Sequence, residues 1–203
     1  MPKGIKMNKI SINLGDYSAN KLYPSALFLY GTYKEDGSPN FGLFCWLNYC
    51  YDTELAIMAC IGGSKLTKDR IKTNKVFSAN LVTEPLLPLA DYLGSTPGYS
   101  HEKMDIPIDV EQGAVLNVPV LKKSPWIYEL ETTESILLKD SEIFICKIHN
   151  ILAAKDLADK SINEAEHIKA YAPVLWFGSG KYYSTNPVML GKTGDWKNLR
   201  GLQ

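Results

Sequence analysis

Ala26-Leu27-Phe28-Leu29-Tyr30-Gly31-Thr32-Tyr33, then Lys34-Glu35-Asp36-Gly37-Ser38-Pro39, then Asn40-Phe41-Gly42-Leu43-Phe44-Cys45-Trp46-Leu47-Asn48 is the stretch on whose reading the fold turns. Both flanks are aromatic and aliphatic, and the centre is polar around an Asp-Gly pair. Glycine takes the positive φ that a tight turn demands, and the flanking side chains suit a pleated surface, so the stretch reads as a β-hairpin. The chain continues in the same manner. Tyr51-Asp52-Thr53-Glu54 turns it into a third strand at 55–61, and 76–82 is a fourth. A long strand at 126–138 turns at Lys139-Asp140-Ser141 and returns as 142–154, and 174–177 is a last strand.

Helical signals are fewer. A short amphipathic helix follows residues 61–67. Thr83-Glu84-Pro85 opens another, with Leu86, Leu89, Ala90 and Leu93 as its apolar face and Gly94 as its end. Residues 95–113 form a long loop of a length that points to function. Six or seven strands, two short helices and mostly hairpin connections predict a mainly-β fold, an antiparallel barrel. The whole chain, 1–203, reads as one domain, with 155–172 an excursion and 184–203 a C-terminal tail.

Composition narrows the function classes. Twenty-two basic residues balance twenty-two acidic ones and are dispersed, which argues against a nucleic-acid partner. No apolar segment follows the first six residues as in a secretory leader, and no apolar run approaches the ~20 residues that cross a bilayer. A cytoplasmic protein without a membrane partner is expected. Cys45, Cys50, Cys60 and Cys146, with His101, His149 and His167, show no metal-ligand or redox spacing, so neither a metal centre nor a structural disulfide is expected.

The chemically suggestive segment is Ile61-Gly62-Gly63-Ser64-Lys65-Leu66-Thr67, where a strand hands over to a helix N-terminus. Unpaired N–H groups and the helix dipole favour an anion there, and glycines let the backbone approach it. Ser64 and Thr67 offer hydroxyl donors and Lys65 a charge. The same residues also read as an ordinary strand exit with Ser64 as N-cap. The loop is not G-x-x-x-x-G-K-[ST], and Gly178-Ser179-Gly180 lacks both the third glycine and the following βαβ unit of a dinucleotide fingerprint.

In their order, these parts resemble the flavin reductase-like family, the FMN-binding split β-barrels that include flavoredoxin and small NAD(P)H:flavin oxidoreductases. The resemblance runs from about Tyr23 to about Tyr183. It is carried by Leu22-Tyr23-Pro24-Ser25-Ala26-Leu27, the Asp-Gly turn, Phe44-Cys45-Trp46-Leu47-Asn48 and the Ile61–Thr67 loop, then by Phe77-Ser78-Ala79-Asn80-Leu81 and Tyr92-Leu93-Gly94-Ser95-Thr96-Pro97-Gly98 with Lys103. Pro125 to Glu131, Phe144 to Ile148 and Leu175-Trp176-Phe177-Gly178-Ser179-Gly180-Lys181-Tyr182-Tyr183 complete it. Two departures stand out. Asp52-Thr53-Glu54-Leu55 replaces a D-P-P element, and Asn48 with bulky Tyr49 follows the tryptophan where a small hydroxyl residue is usual.

The resemblance implies a split β-barrel that binds FMN. It implies that Ser64, Lys65 and Thr67 hold the phosphate and that Cys45, Trp46, Leu47 and Asn48 run along the isoalloxazine and ribityl chain. Asn80 is implied either to hydrogen-bond near the flavin or to satisfy local backbone. Lys103 is implied to reach the cofactor or the incoming nicotinamide phosphate, or else is a solvated loop charge. His101 is a weaker candidate for a proton donor. The flavin then carries the chemistry, with no catalytic side chain, passing hydride or electrons from NAD(P)H to free flavin, a redox partner protein or a small acceptor. The alternatives are an electron carrier without a nicotinamide site and a flavin-free or haem-binding barrel; the intact phosphate loop speaks against the latter. A homodimer is implied too, with Trp176, Tyr182, Tyr183 and Trp196 either at its interface or in the core.

Overall fold

In sequence order the strands are β1 (Ser25–Ala26), β2 (Phe28–Tyr33), β3 (Pro39–Phe44), β4 (Leu47–Asp52), β5 (Glu54–Gly62) and β6 (Val76–Leu81). They continue as β7 (Val110–Gln112), β8 (Pro119–Leu121), β9 (Trp126–Leu137), β10 (Ser141–Ala153), β11 (Val174–Trp176) and β12 (Tyr182–Ser184). The helices are α1 (Leu66–Asn74), α2 (Leu87–Ser95) and α3 (Glu164–Tyr171). The structure, a computed structural model, describes Ser11 and residues 22–159, 161–178 and 180–189. Trp196, and with it most of the 184–203 tail, lies outside the described residues.

The first hairpin forms as its sequence dictates. β2 and β3 pair from Tyr33↔Pro39 to Phe28↔Phe44. Gly37 takes φ 77° in the turn, and the Asp36 carboxylate accepts from the backbone N–H and the hydroxyl of Ser38 at 2.9 and 2.6 Å. The second flank is not one strand over 40–48. It breaks at Cys45-Trp46 into β3 and β4, and these two strands do not pair with each other.

The reason lies in the sheet order, β3-β2-β6-β9-β10-β5-β4, every neighbouring pair antiparallel. The two edges of this seven-stranded sheet are therefore consecutive in sequence. Laid flat, it would hold its edges about 29 Å apart. The three Cα steps from Phe44 to Leu47 reach only about 11 Å. The sheet must curl into a barrel whose unpaired seam lies between β3 and β4. Cys60 N–H donating to Trp46 C=O at 2.9 Å ties the linker to β5.

Alternation along β2 sorts side chains between two compartments. Phe28 and Tyr30 enter the barrel with Ile57, Ala59, Ile61, Phe77, Leu130 and Phe144, and Ile71 of α1 joins this cluster. Tyr30 stacks on Phe44 with centroids 4.6 Å apart. Leu27 and Leu29 point the other way, into a second cluster with Phe41, Leu86, Ala90, Leu93 and Val174. There α2 and the small sheet β1-β11-β12 cover the barrel wall. Gly94 does not end α2, which runs to Ser95; a Cβ on it would stand 2.8 Å from Leu43 Cβ, so glycine serves close helix–strand packing. The 95–113 loop holds a 3₁₀ turn at His101–Met104 and β7, which pairs with β8. Among the described residues no helix is long and apolar enough to cross a membrane.

One buried carboxylate anchors the β7–β8 connection. Glu129 of β9 is fully buried and accepts from the N–H groups of Ala114, Val115 and Leu116 at 3.0, 2.9 and 2.6 Å and from the Asn150 amide at 2.8 Å. Burial pushes its pKa up, but these four donors outweigh burial and leave it below the usual carboxylate value. A lowered folded-state pKa adds stability that is present above the unfolded value and is lost as pH falls through the folded one. Glu129→Gln, which sets an amide donor where a carboxylate oxygen accepted from N–H groups, is expected to cost about 1–3 kcal/mol at neutral pH. Urea denaturation of the variant should also show a shallower loss of stability below pH 5 than the wild type, and an unchanged midpoint would show that the carboxylate is not the tie.

Candidate functional site

Strand β5 leaves the barrel at Gly62, and Gly63 turns the chain with φ 67°. Gly63 N–H donates to Asp140 C=O at 2.7 Å, and the Lys68 ammonium donates back to Gly63 C=O. Helix α1 then starts one residue later than a Ser64 cap requires. Lys65 is the N-cap, in extended conformation, and no side chain caps the helix. Asp69 N–H to Lys65 C=O at 3.1 Å is the first return bond, so Leu66, Thr67 and Lys68 present N–H groups that have no intrahelical acceptor. The positive end of the helix dipole lies there.

Above this terminus is a cleft of about 240 Å³, shared by the α1 N-terminus, β3, the end of α2 and the loop behind it. Ser64, Lys65, Thr67 and Lys103 all line it, although 36 residues or more separate Lys103 from the rest. Three glycines keep its walls close. A Cβ at Gly42 would meet Thr67 Oγ1 at 2.9 Å, and one at Gly98 would meet Leu66 Cβ at 2.7 Å. Thr67 is buried, and its hydroxyl oxygen accepts from the Asn40 amide at 3.0 Å, which leaves the hydroxyl hydrogen for another acceptor.

The electrostatics of the cleft are one-sided. Lys103 is 3% exposed, and no described residue pairs with its ammonium group. Burial, and then the charge of Lys65, lower its pKa to about 8. The nearby acid is engaged elsewhere: the Tyr99 hydroxyl donates to the Asp69 carboxylate, and the bond to Asp69 raises the phenol's pKa. Two cations beside an uncapped helix N-terminus, with no carboxylate among the described residues that line the cleft, make an arrangement suited to an anion with more than one charge.

The other candidates stand apart from this cleft. Cys45 and Trp46 form the barrel seam, and Leu47 and Asn48 begin β4. Burial pushes the Cys45 thiol up to about 11. Trp46 is 51% exposed, its ring 3.7 Å from a Cβ built on Gly62, beside the strand that feeds the Gly63 turn. Leu47 packs on the barrel cluster and Asn48 is exposed. Asn80 is buried beneath β8. Its amide donates to Leu29 C=O and Ser78 Oγ at 2.8 and 2.9 Å, and its carbonyl accepts from Leu121 N–H at 2.8 Å, so its bonds go to the local framework. His101 is exposed on the turn that carries Lys103. Sequence reasoning missed Asn40, Gly42 and Tyr99. The first two sit in an ordinary strand, and their contacts with Thr67 join residues 25 and 27 positions apart, so no local signal marked them.

The flavin reductase like domain model matches residues 20–185, and the chain belongs to that family. The resemblance drawn from the motifs, and the split-barrel fold class, are borne out. Flavoredoxin from Methanosarcina acetivorans superimposes with a TM-score of 0.81 at 19% identity, covering 95% of this chain and all of the other. The FMN-binding protein from Thermus thermophilus with bound p-hydroxybenzaldehyde follows with 0.73, 20% identity and 93% and 100% coverage. The styrene monooxygenase flavin reductase from Pseudomonas putida S12 has 0.66, 13% identity and 85% and 97% coverage. At these identities the likeness establishes the fold. No curated protein matches the chain.

The glycine contacts make the cleft testable on its own. Gly98→Ala must push the loop off Leu66, at an overpacking cost of about 1–3 kcal/mol. Any thermal stabilisation that added inorganic phosphate gives the wild type is expected to shrink in this variant. Retention of full stabilisation by phosphate would show that the 98–66 contact does not shape the cleft.

Proposed function

We propose that this member of the flavin reductase-like family is an FMN-dependent oxidoreductase that passes hydride or electrons from NAD(P)H, through bound FMN, to free flavin, a partner protein or a small acceptor. The observation that carries the reading is the uncompensated pair Lys65 and Lys103 at the uncapped end of α1, a donor set that fits a phosphomonoester dianion. Lys65, Lys103 and the hydroxyls of Ser64 and Thr67 hold the phosphate, with the free N–H groups of the first turn behind them. Cys45, Trp46, Leu47 and Asn48, on the seam next to Gly62, take the isoalloxazine and ribityl side. Asn80 acts from beneath, by fixing β8 and β6 to β2.

FMN supplies the redox chemistry when bound; the chain's residues bind it, orient it and limit its contact with water. The protein is further read as a homodimer. β4 is an unpaired sheet edge on which Tyr49 and Tyr51 are 55% and 78% exposed, beside an exposed Leu55 on β5. An apolar edge next to the seam is suited to a second copy, with Trp46 at the margin of the contact.

The purified protein is expected to be yellow or to take up added FMN, and NADH or NADPH is expected to bleach it under anaerobic conditions. A colourless protein that ignores FMN would overturn the flavin reading. Bleaching by neither nucleotide, with FMN bound, would instead identify an electron carrier of the flavoredoxin type. Lys65→Ala is expected to weaken FMN binding by about 1.5–3 kcal/mol, the worth of a charged hydrogen bond, and Thr67→Val by about 0.5–1.5 kcal/mol. Equal affinities in wild type and both variants would remove the phosphate assignment.

A further inference from the structure

Lys103 is the single buried lysine among the described residues, and it lines a cleft whose other cation is Lys65. The titratable groups on the elements around it are few. The N-terminus of α1 brings Lys65, Lys68, tied to Gly63 C=O, and Asp69, which accepts the Tyr99 hydroxyl. Strand β3 lines the cleft with Gly42, Leu43 and Phe44 and brings no titratable group, while α2 carries the Tyr92 phenol and Asp91, which accepts from the Tyr182 hydroxyl at 2.6 Å. On the segment of Lys103 itself, His101, Glu102 and Asp105 are exposed. None of the acids neutralises Lys103, and the one charge that acts on it is that of Lys65.

We propose that Lys103 is a proton-linked anchor: entry of a phosphomonoester dianion into this cleft is coupled to uptake of a solvent proton at Lys103 Nζ, so that ligand affinity declines as pH rises above neutral. The inference rests on the phosphate of the FMN reading lying in this cleft. Without ligand, both burial and Lys65 favour the neutral amine, and they hold its pKa at about 8. A dianion between the two lysines offsets the repulsion from Lys65 and gives the ammonium a charged acceptor, which returns Lys103 toward the ordinary lysine range near 10.4. The sign follows directly. The bound form has the higher pKa, so affinity is full below the ligand-free value and is lost progressively above it. The phosphate itself does not account for such a change, because its second pKa is about 6, and what ionisation remains above pH 7 would strengthen rather than weaken binding of the dianion. The coupling gives the site a way to hold its ligand at neutral pH and release it in alkaline conditions without any movement of the barrel.

The test follows FMN affinity by fluorescence titration between pH 7 and 9, in the wild type and in Lys103→Arg, whose guanidinium stays charged throughout. The wild type is expected to lose affinity about tenfold over this range, and calorimetry in buffers of different ionisation enthalpy to show uptake of about three-quarters of a proton at pH 8.5. Lys103→Arg, whatever its affinity at pH 7, is expected to show a flat profile. A flat wild-type profile, or a variant that follows the wild-type decline, would overturn the proposal while leaving the FMN reading intact. A wild type that binds no FMN at pH 7 would overturn the reading instead. In that case, and if the variant does not fold, ¹³C-lysine NMR of the wild type with and without inorganic phosphate decides. A lysine that titrates near pH 8 and moves up on adding phosphate supports the proposal, and its absence overturns it.

Discussion

Everything in this molecule depends on a covalent constraint of two residues. Cys45 and Trp46 join strands that stand at opposite edges of a seven-stranded sheet, and a chain that short cannot span a flat one. Closure into a barrel follows from connectivity, and the hydrophobic effect then fills the interior with Phe28, Tyr30, Phe77 and Phe144. The same constraint leaves one seam unpaired. That seam sets β3 beside the N-terminus of α1 and supplies Gly42, Leu43 and Phe44 to the cleft. The site is a consequence of how the barrel closes.

Electrostatically the cleft runs against the logic of the rest of the fold. The two buried carboxylates among the described residues have partners of opposite sense: Glu129 takes four donors, and Glu142 Oε2 lies 3.1 Å from the Lys72 ammonium. At the cleft, buried Lys103 shares the lining with Lys65, and no described residue compensates its charge. An ordinary structural lysine sits at the surface, so a buried cation without a described partner marks this cleft as the candidate ligand site. The tie from Tyr99 to Asp69 has the same sense, since it occupies the carboxylate that would otherwise neutralise the site.

Much of this was legible in the residues. The Asp-Gly turn, the long pair β9–β10 and the Gly-Gly-Ser-Lys-Leu-Thr segment carry local signals, because turn chemistry and two-residue periodicity act over a few positions. What escaped involved closure or packing. Residues 40–48 look like one strand, since nothing in Phe44-Cys45-Trp46-Leu47 marks a change of sheet edge. Gly94 looks like a helix stop, whereas its lack of a Cβ accommodates Leu43. Ser64 looks like a cap, but the helix begins after Lys65, and an open cap is what leaves the N–H groups free.

The sequence by itself determined the strand and turn alphabet of this protein, its mainly-β class, and the concentration of hydroxyls, glycines and a lysine where a strand meets a helix. These are properties of neighbours along the chain. Only the tertiary structure decided that Lys103 faces Lys65, that Asn40 reaches Thr67, and that Asn80 serves the framework by binding Leu29 and Leu121. The physical reason is distance along the chain. Charge repulsion, burial and hydrogen bonding between residues that lie 27 to 51 positions apart come into being only when the barrel closes.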